Sequence, residues 1–278
     1  MPTAPDLPLV RAGDVVRAGQ AYLADTPLLR AHAGTQPDLF LRWNEIPLAA
    51  AAVDVVVFVH GHSREGRAMP LAEKVARSGL DLAQRPRPTL ALLPRGHWFR
   101  HYYYDFPALL AGGLDRLVDY GLDVFGRASG RVEAPMLDRL VLAAHSGGGM
   151  PAVDMIAEAG RAPDEFFVFD GLYGRDPATG DPLRGLEAID RWLGERLARE
   201  PERSGALRIV FIENQTGPFS RAVGQRLAGR LAALDPGLAA ALVRRYRVES
   251  AIVQHSQIAR HYLPELLRRA DAQIDWPS

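Results

Sequence analysis

The chain has 278 residues, of which 47% are hydrophobic and 24% are charged. This composition can bury a large core and excludes global disorder. The 33 basic and 33 acidic residues give a formal net charge of zero, whereas proteins that bind nucleic acids usually carry a basic excess. There is no cysteine, so disulfide scaffolds, thiolate metal sites and cysteine nucleophiles are excluded. The length fits one large α/β domain, and we expect residues 1–278 to form a single domain.

The sequence contains no recognisable targeting or membrane segment. Residues 1–14 lack the basic start and apolar run of a secretory signal peptide. The longest apolar stretch, near residues 46–60, is interrupted by Pro47 and Asp54 and is too short to cross a bilayer. We therefore expect a soluble, cytoplasmic protein without a membrane span or a nucleic-acid partner. Nothing in the sequence indicates the oligomeric state.

Short, strongly apolar runs alternate with helical patterns along the chain. Strands are predicted at 39–43 (an edge strand), 53–59, 89–93, 137–144, 165–169, 206–212 and 246–253. Helices are predicted at 70–79, 107–125, 148–160, 182–199, 218–234 and 258–271. Runs that are apolar on both faces are typical of parallel strands covered by helices. The alternation therefore predicts an α/β fold with a doubly wound, mostly parallel sheet.

Functional residues of such a sheet lie in loops at the carboxyl ends of its strands. Polar and titratable residues follow the predicted strands at these positions: His60-Gly61-His62-Ser63, Pro94-Arg95-Gly96-His97, His145-Ser146-Gly147-Gly148, Asp170-Gly171, Glu213-Asn214 and Gln254-His255-Ser256. We therefore expect the chemistry of this protein at this edge of the sheet.

Ser146 stands between a predicted strand and a predicted helix, in a turn with small residues two positions away on either side, Ala144 and Gly148. A nucleophilic serine on a strained strand-to-helix turn needs such small neighbours. The alternatives are a helix cap or a phosphate-binding loop, but a phosphate loop would end in Lys-Ser/Thr, which is absent. The pattern predicts that Ser146 is a nucleophile.

Over roughly residues 40–272 the chain resembles the α/β-hydrolase superfamily. Ala144-His145-Ser146-Gly147-Gly148 is similar to the nucleophile turn of a small group of bacterial lipases that also replace the first glycine. The resemblance implies an oxyanion hole made by the backbone N–H groups of His62 and Gly147. It also implies a general base near the C-terminus. The segment 171–205 has room for a loop and one helix, and therefore for a small lid at most.

The sequence offers more than one candidate for the general base and for the acid. His255 lies between a strand and a helix, where the resemblance implies the base, whereas His261 falls inside the last predicted helix. The acid is Asp170, directly after one strand, or Glu213, directly after the next. We favour Asp170 because it leaves its strand into the Gly171 turn, whereas Glu213 begins an ordinary polar turn.

Other residues suggest a substrate pocket or a metal. The aromatic stretch 97–107 is a pocket wall or a packed loop, with Trp98 and Phe99 as the candidate wall residues. Three arginines, Arg64, Arg67 and Arg95, are candidates to hold a substrate carboxylate. The spacing of four histidines would allow two imidazoles to face one metal ion: His60 with His62, and His97 with His101. A metallo-β-lactamase pattern resembles His60-Gly61-His62 but continues with an Asp-His pair. Here Ser63-Arg64-Glu65 follows instead, so we predict no metal.

These observations together predict a serine hydrolase that cleaves a small-molecule carboxylic ester. Ser146 would attack the carbonyl, His255 would transfer the proton, and Asp170 would orient His255. No cofactor is expected. A peptidase or amidase with the same three residues, and a non-catalytic binding protein of the same fold, remain as alternatives.

Overall fold

The structure, a computed structural model, describes residues 7–63, 68–99, 103–174 and 183–269. Within these ranges the strands are β1 Arg11–Ala12, β2 Val15–Val16, β3 Gly19–Leu23, β4 Leu39–Trp43, β5 Ile46–Pro47, β6 Ala52–Val59, β7 Thr89–Pro94, β8 His97–Phe99, β9 Tyr103–Asp105, β10 Met136–His145, β11 Glu165–Phe169, β12 Ala206–Phe211 and β13 Tyr246–Ser250. The α-helices are α1 Leu71–Ser78, α2 Gly113–Ala128, α3 Gly149–Glu158, α4 Leu186–Leu197, α5 Glu213–Ala232, α6 Pro236–Leu242 and α7 Ile258–Arg268.

Eight of the strands form the central sheet in the order β13-β12-β11-β10-β6-β7-β4-β3. Pairing is parallel from β13 to β7 and antiparallel on both sides of β4. The prediction of a mostly parallel sheet is confirmed. The expectation that residues 39–43 form an edge strand is wrong, because β3 pairs along the outer side of β4. The short and partly exposed β3 carried too little apolar signal to be predicted.

Helices cover both faces of this sheet, as the apolar strands require. Along β6 the side chains alternate between the two faces, so Val55 and Val57 pack into one hydrophobic cluster while Val56 and Phe58 pack into the other. The first cluster includes residues of α2 to α5, and the second includes residues of α1 and α7. Burial on both faces explains why the parallel strands read as continuous apolar runs.

The structure moves the start of two predicted helices and adds a third helix. The segment predicted to start a helix at residue 107 forms a 3₁₀ turn, Pro107–Leu109, and α2 begins only at Gly113. Helix α5 begins at Glu213, directly after β12, and continues through Pro218 where the prediction had its start. Helix α6 was not predicted. Its first turn is capped by Asp235, whose carboxylate accepts from the N–H groups of Gly237 and Leu238.

The segment 171–205, expected to hold a loop and one helix and at most a small lid, contains helix α4, which packs into the core. Five apolar side chains of α4 lie in the larger hydrophobic cluster: Leu186, Ile189, Trp192, Leu193 and Leu197. The helix contacts α3 and α5, so it belongs to the layer that covers the sheet. Residues 175–182 of the same segment lie outside the described ranges.

Candidate active site

Ser146 occupies a strained turn at the carboxyl end of β10. Its φ is +54°, in the left-handed region that favours glycine. The turn is tightly enclosed by backbone: a Cβ on Gly148 would lie 2.4 Å from the Val59 carbonyl oxygen, and one on Gly61 would lie 2.5 Å from Ser146 Cβ. Backbone can approach this closely only because these positions lack side chains. The Ser146 hydroxyl is thereby held at the strand end, at the start of the helical segment.

A chain of two hydrogen bonds joins Ser146 to a carboxylate. Ser146 Oγ lies 2.8 Å from His255 Nε2, and His255 Nδ1 lies 2.6 Å from Asp170 Oδ2. With the ring neutral, Nδ1–H donates to the carboxylate, which leaves Nε2 to accept from the serine hydroxyl. The three side chains that the sequence analysis placed at separate strand ends are therefore in direct contact.

Asp170 is held at the end of β11 by its neighbours. It is fully buried, its φ is +45°, and its N–H donates to the Val210 carbonyl on the adjacent β12. Its second oxygen, Oδ1, accepts from the Ile212 N–H at 3.0 Å and from Thr216 Oγ1 at 2.5 Å. Burial by itself raises the pKa of Asp170, but the hydrogen bonds from His255, Thr216 and Ile212 outweigh it and hold the pKa below its ordinary value.

The two alternatives from the sequence lie elsewhere. Glu213 is the first residue of α5, is more than half exposed, and forms an ion pair with Arg221 on the same helix. His261 is an exposed residue of α7 whose ring packs edge-on against Tyr262. The carboxylate and the imidazole that meet at Ser146 are therefore Asp170 and His255.

His145, directly before the serine, supports the histidine loop. Its Nε2 lies 2.9 Å from the backbone oxygen of His255, and the centroids of the two rings are 5.0 Å apart. Burial, followed by the proximity of His255, lowers the pKa of His145 to about 4. At neutral pH the ring is therefore uncharged, and Nε2–H donates to the His255 carbonyl. The sequence analysis assigned no role to this residue.

The loop after β6 lies against the serine and is anchored by Lys74 of α1. Lys74 Nζ donates to the carbonyl oxygens of Gly61 and His62, each at 2.7 Å. Its side chain is 5% exposed, and burial lowers its pKa to about 7. Lys74 is the only lysine in the chain. That rarity is a signal that could have marked the residue, but no role was predicted for it.

Lys74 also fixes where the N–H groups of this loop point. The 61–62 peptide is trans, and in a trans peptide the C=O of one residue and the N–H of the next point in opposite directions. Since the Gly61 carbonyl points to Lys74, the His62 N–H points away from it. The imidazole of His62 lies over Gly147, where an added Cβ would come 2.0 Å from Nε2. The two predicted oxyanion residues thus lie beside each other and beside Ser146.

A pocket of about 210 Å³ opens at Ser146. Its lining comes from the loop after β6, from α1, from the serine turn and from the His255 loop, and comprises Phe58, His60, Gly61, His62, Lys74, Arg77, Ser78, His145, Ser146, Tyr173, Gln215, His255 and Ser256. Trp98, expected as a wall residue, packs against the hydrophobic core and is not part of this lining. The side chain of Phe99 lies outside what the structure describes. Their role in substrate binding stays a prediction.

Two histidines of the metal hypothesis, His60 and His97, bind backbone groups. His60 is buried, with Nδ1 3.0 Å from the Gly61 oxygen and Nε2 accepting from the Gly96 N–H at 3.0 Å. Burial holds its pKa well below the ordinary value. His97 Nδ1 accepts from the Ala33 N–H at 2.8 Å. His101 lies outside the described ranges, within which no three side chains of the metal-binding types form a cluster.

The fold can now be identified from the sheet and the site together. Ser146 lies on a strained turn between a strand and a helix, and the residues that it joins by hydrogen bonds follow in the order Asp, His along the chain. A loop after the third strand of the central sheet lies beside the residue that follows the serine. The chain has the α/β-hydrolase fold. Among the described residues, none of the helices of this hydrolase fold is long and apolar enough to cross a membrane.

Solved structures of several hydrolases are similar to this chain. An acylaminoacyl peptidase from Pyrococcus horikoshii aligns with 94% of the chain at 13% identity and a TM-score of 0.41, and the chain spans 43% of its length. A thermostable esterase aligns with 92% at 14% identity and a TM-score of 0.47, and the chain spans 61% of it. For an S-formylglutathione hydrolase from Agrobacterium tumefaciens both shares are 94%, at 12% identity and a TM-score of 0.47.

No family model matches the chain, and no curated protein matches its sequence. At these identities and TM-scores, the similar structures indicate neither the activity nor the substrate of this chain. Its function has to be inferred from the site.

Proposed function

We propose that this α/β-hydrolase is a serine hydrolase that cleaves a carboxylic ester through an acyl-enzyme. Ser146 Oγ attacks the ester carbonyl while His255 Nε2 takes the hydroxyl proton. His255 then gives that proton to the leaving alcohol. Water, activated by the same imidazole, hydrolyses the acyl-enzyme. Asp170 stabilises the imidazolium that forms in both steps.

The observation that carries this proposal is the uninterrupted path from Asp170 Oδ2 through His255 to Ser146 Oγ. Both hydrogen bonds have the lengths that such an arrangement requires. Asp170 keeps its charge because its other oxygen accepts two further hydrogen bonds. A carboxylate that stays ionised holds His255 in the tautomer that can accept the serine proton.

The proposed oxyanion hole is formed by the backbone N–H groups of His62 and Gly147. Removing one such donor typically lowers the rate by about 10²–10³-fold in a hydrolase. Lys74 supports the hole indirectly, because it holds the carbonyls of Gly61 and His62 on the opposite side of the loop. Lys74 is in this sense a positioning residue.

The size of the pocket favours a small substrate. Its volume of about 210 Å³ is below the roughly 300–1,000 Å³ of sites for drug-sized ligands. We therefore expect esters with short acyl chains, of two to four carbons, to be cleaved with higher kcat/KM than esters of eight or more.

Two measurements on the purified chain test the proposal. A fluorophosphonate should label the wild type and leave Ser146→Ala unlabelled, and 4-nitrophenyl esters of rising chain length should be hydrolysed by the wild type only. Ser250→Ala is the control, since Ser250 is an exposed residue of the edge strand β13. A wild type that is neither labelled nor active indicates a binding protein. Hydrolysis of a matched anilide at a rate equal to that of the ester indicates an amidase.

A further inference from the structure

The wall that α1 contributes to the pocket is cationic. Lys74 and Arg77 are one helical turn apart, so their side chains share a face of α1, and both line the pocket together with Ser146. Four histidines, which are neutral or positive but never negative, line it as well: His60, His62, His145 and His255. None of the described residues that line the pocket is an aspartate or glutamate. Asp170, the nearest functional carboxylate, is fully buried and already hydrogen-bonded.

Arg77 is the group of this wall that a substrate can reach. It is exposed and forms no ion pair or hydrogen bond within the described part of the chain. Other arginines of the chain are paired with carboxylates, for example Arg184 with Asp154 and Arg230 with Asp190. Arg77 therefore keeps its guanidinium available at the pocket, whereas the ammonium of Lys74 is already bonded to two carbonyls.

Of the arginines considered from the sequence, Arg95 does not provide this group. It is buried and donates to the backbone oxygens of Thr35 and His32. Arg64 and Arg67 lie outside the described ranges, and their role stays a prediction. Among the described arginines, Arg77 and not Arg95 lines the pocket that opens at Ser146.

We propose that the pocket selects esters that carry a carboxylate on the acyl or alcohol part, with Arg77 binding that carboxylate. This inference rests on the proposed ester hydrolysis at Ser146. A guanidinium binds a carboxylate through two parallel hydrogen bonds, which orients the bound molecule as well as attracting it. A cleft lined by charge of one sign also concentrates ligands of the opposite sign. Burial and then the positive charge of Arg77 lower the pKa of Lys74. A carboxylate bound to Arg77 would in addition offset the repulsion between these two side chains.

The experiment compares esters of similar length that differ in whether they carry a carboxylate. One pair, monoethyl glutarate and ethyl pentanoate, carries the charge on the acyl side, and the other, 4-acetoxybenzoate and 4-acetoxybenzamide, carries it on the alcohol side. For each pair the ratio of kcat/KM for the anionic ester to that for the neutral ester is measured by titration of the released acid. We expect a ratio of at least about fivefold for one pair in the wild type, falling as salt is raised to 0.5 M.

Arg77→Gln should bring that ratio to about one, and Arg77→Lys should keep part of it. The control is Arg199→Gln, which removes the same charge from an exposed arginine at the opposite, amino-terminal edge of the parallel strands. If the anionic and neutral esters of both pairs are cleaved with equal kcat/KM, the inference is wrong and the proposed ester hydrolysis is unaffected. A preference that survives in Arg77→Gln overturns the assignment to Arg77. Failure to cleave all four esters overturns the proposed function itself.

Discussion

Asp170 and His255 lie 85 residues apart in the sequence, yet Asp170 Oδ2 is 2.6 Å from His255 Nδ1. The contact forms because β11 lies between β10 and β12 in the sheet. Asp170 therefore leaves its strand directly beside the serine turn: a Cβ on Gly149, in the first turn after the serine, would lie 2.2 Å from the Gly171 carbonyl oxygen. The residue directly after the neighbouring strand β12 is Ile212, whose N–H donates to the other carboxylate oxygen.

The first prediction concerns this carboxylate. Asp170→Asn should lower kcat by orders of magnitude, by about 10⁴-fold where such a change has been measured in a related mechanism, because the imidazole adopts the wrong tautomer. Glu213→Gln should leave kcat within about twofold, because Glu213 contacts Arg221 on the surface of α5. Steady-state kinetics with a short 4-nitrophenyl ester distinguish the two. A larger loss for Glu213→Gln than for Asp170→Asn would refute the assignment.

The second prediction concerns the base. His255→Ala should be about as damaging as Ser146→Ala, and the double variant should be no worse than either, because the members of such a triad act as a unit. His261→Ala should retain activity, since its ring packs against Tyr262 on α7. The measurement is kcat/KM for all four variants under one set of conditions. Additive losses in the double variant would show that the two residues act independently.

The third prediction concerns Lys74. Lys74→Met removes both donors to the loop carbonyls and should lower kcat by about tenfold or more, with a smaller change in KM, because the His62 N–H is no longer held in place. Lys74→Arg, which keeps donors at this position, should recover part of the loss. Glu73→Gln, on the same helix and outside the pocket lining, is the control. A change confined to KM would assign Lys74 to substrate binding rather than to positioning.

The fourth prediction concerns a buried acid away from the site. Glu165, the first residue of β11, is 1% exposed, and neither of its carboxylate oxygens has a hydrogen-bond partner in the described part of the chain. Burial raises its pKa from 4.5 to about 7, against the attraction of Arg85 and Arg139. Between these two pH values the folded state therefore binds more protons than the unfolded state. The stability that this group contributes is complete below pH 4.5 and is lost as the pH rises through about 7.

Glu165→Gln keeps the shape of the side chain and removes its titration. The free energy of unfolding of this variant, relative to that of the wild type, should increase by at most about 3 kcal/mol between pH 4.5 and pH 8. Urea titrations at both pH values measure the difference. Glu195→Gln, an exposed residue of α4, should track the wild type at both. A gap between Glu165→Gln and wild type that is the same at the two pH values would show that Glu165 is ionised throughout.

The sequence by itself determined the parallel part of the sheet, the turn around Ser146 and the order serine, acid, histidine of the candidate residues along the chain. Parallel strands covered on both faces must be apolar throughout, so β6, β10 and β11 could be read directly from the chain. The small residues around Ser146 follow from local backbone crowding, which leaves a mark in the sequence wherever it occurs. The loop of Gly61 and His62 was predicted in another way, through the resemblance of the chain to the α/β-hydrolase superfamily.

Only the tertiary structure decided between Asp170 and Glu213, and only it revealed Lys74, His145 and Thr216. Both acids follow an apolar strand, and the neighbouring sequence does not indicate which of them contacts the imidazole of His255, which lies in a distant loop. Hydrogen bonds such as those from Lys74 to Gly61 and His62 depend on how α1 packs against the sheet. That packing is set by the summed burial of many apolar side chains, and no local pattern records which polar atoms it brings within 3 Å of each other.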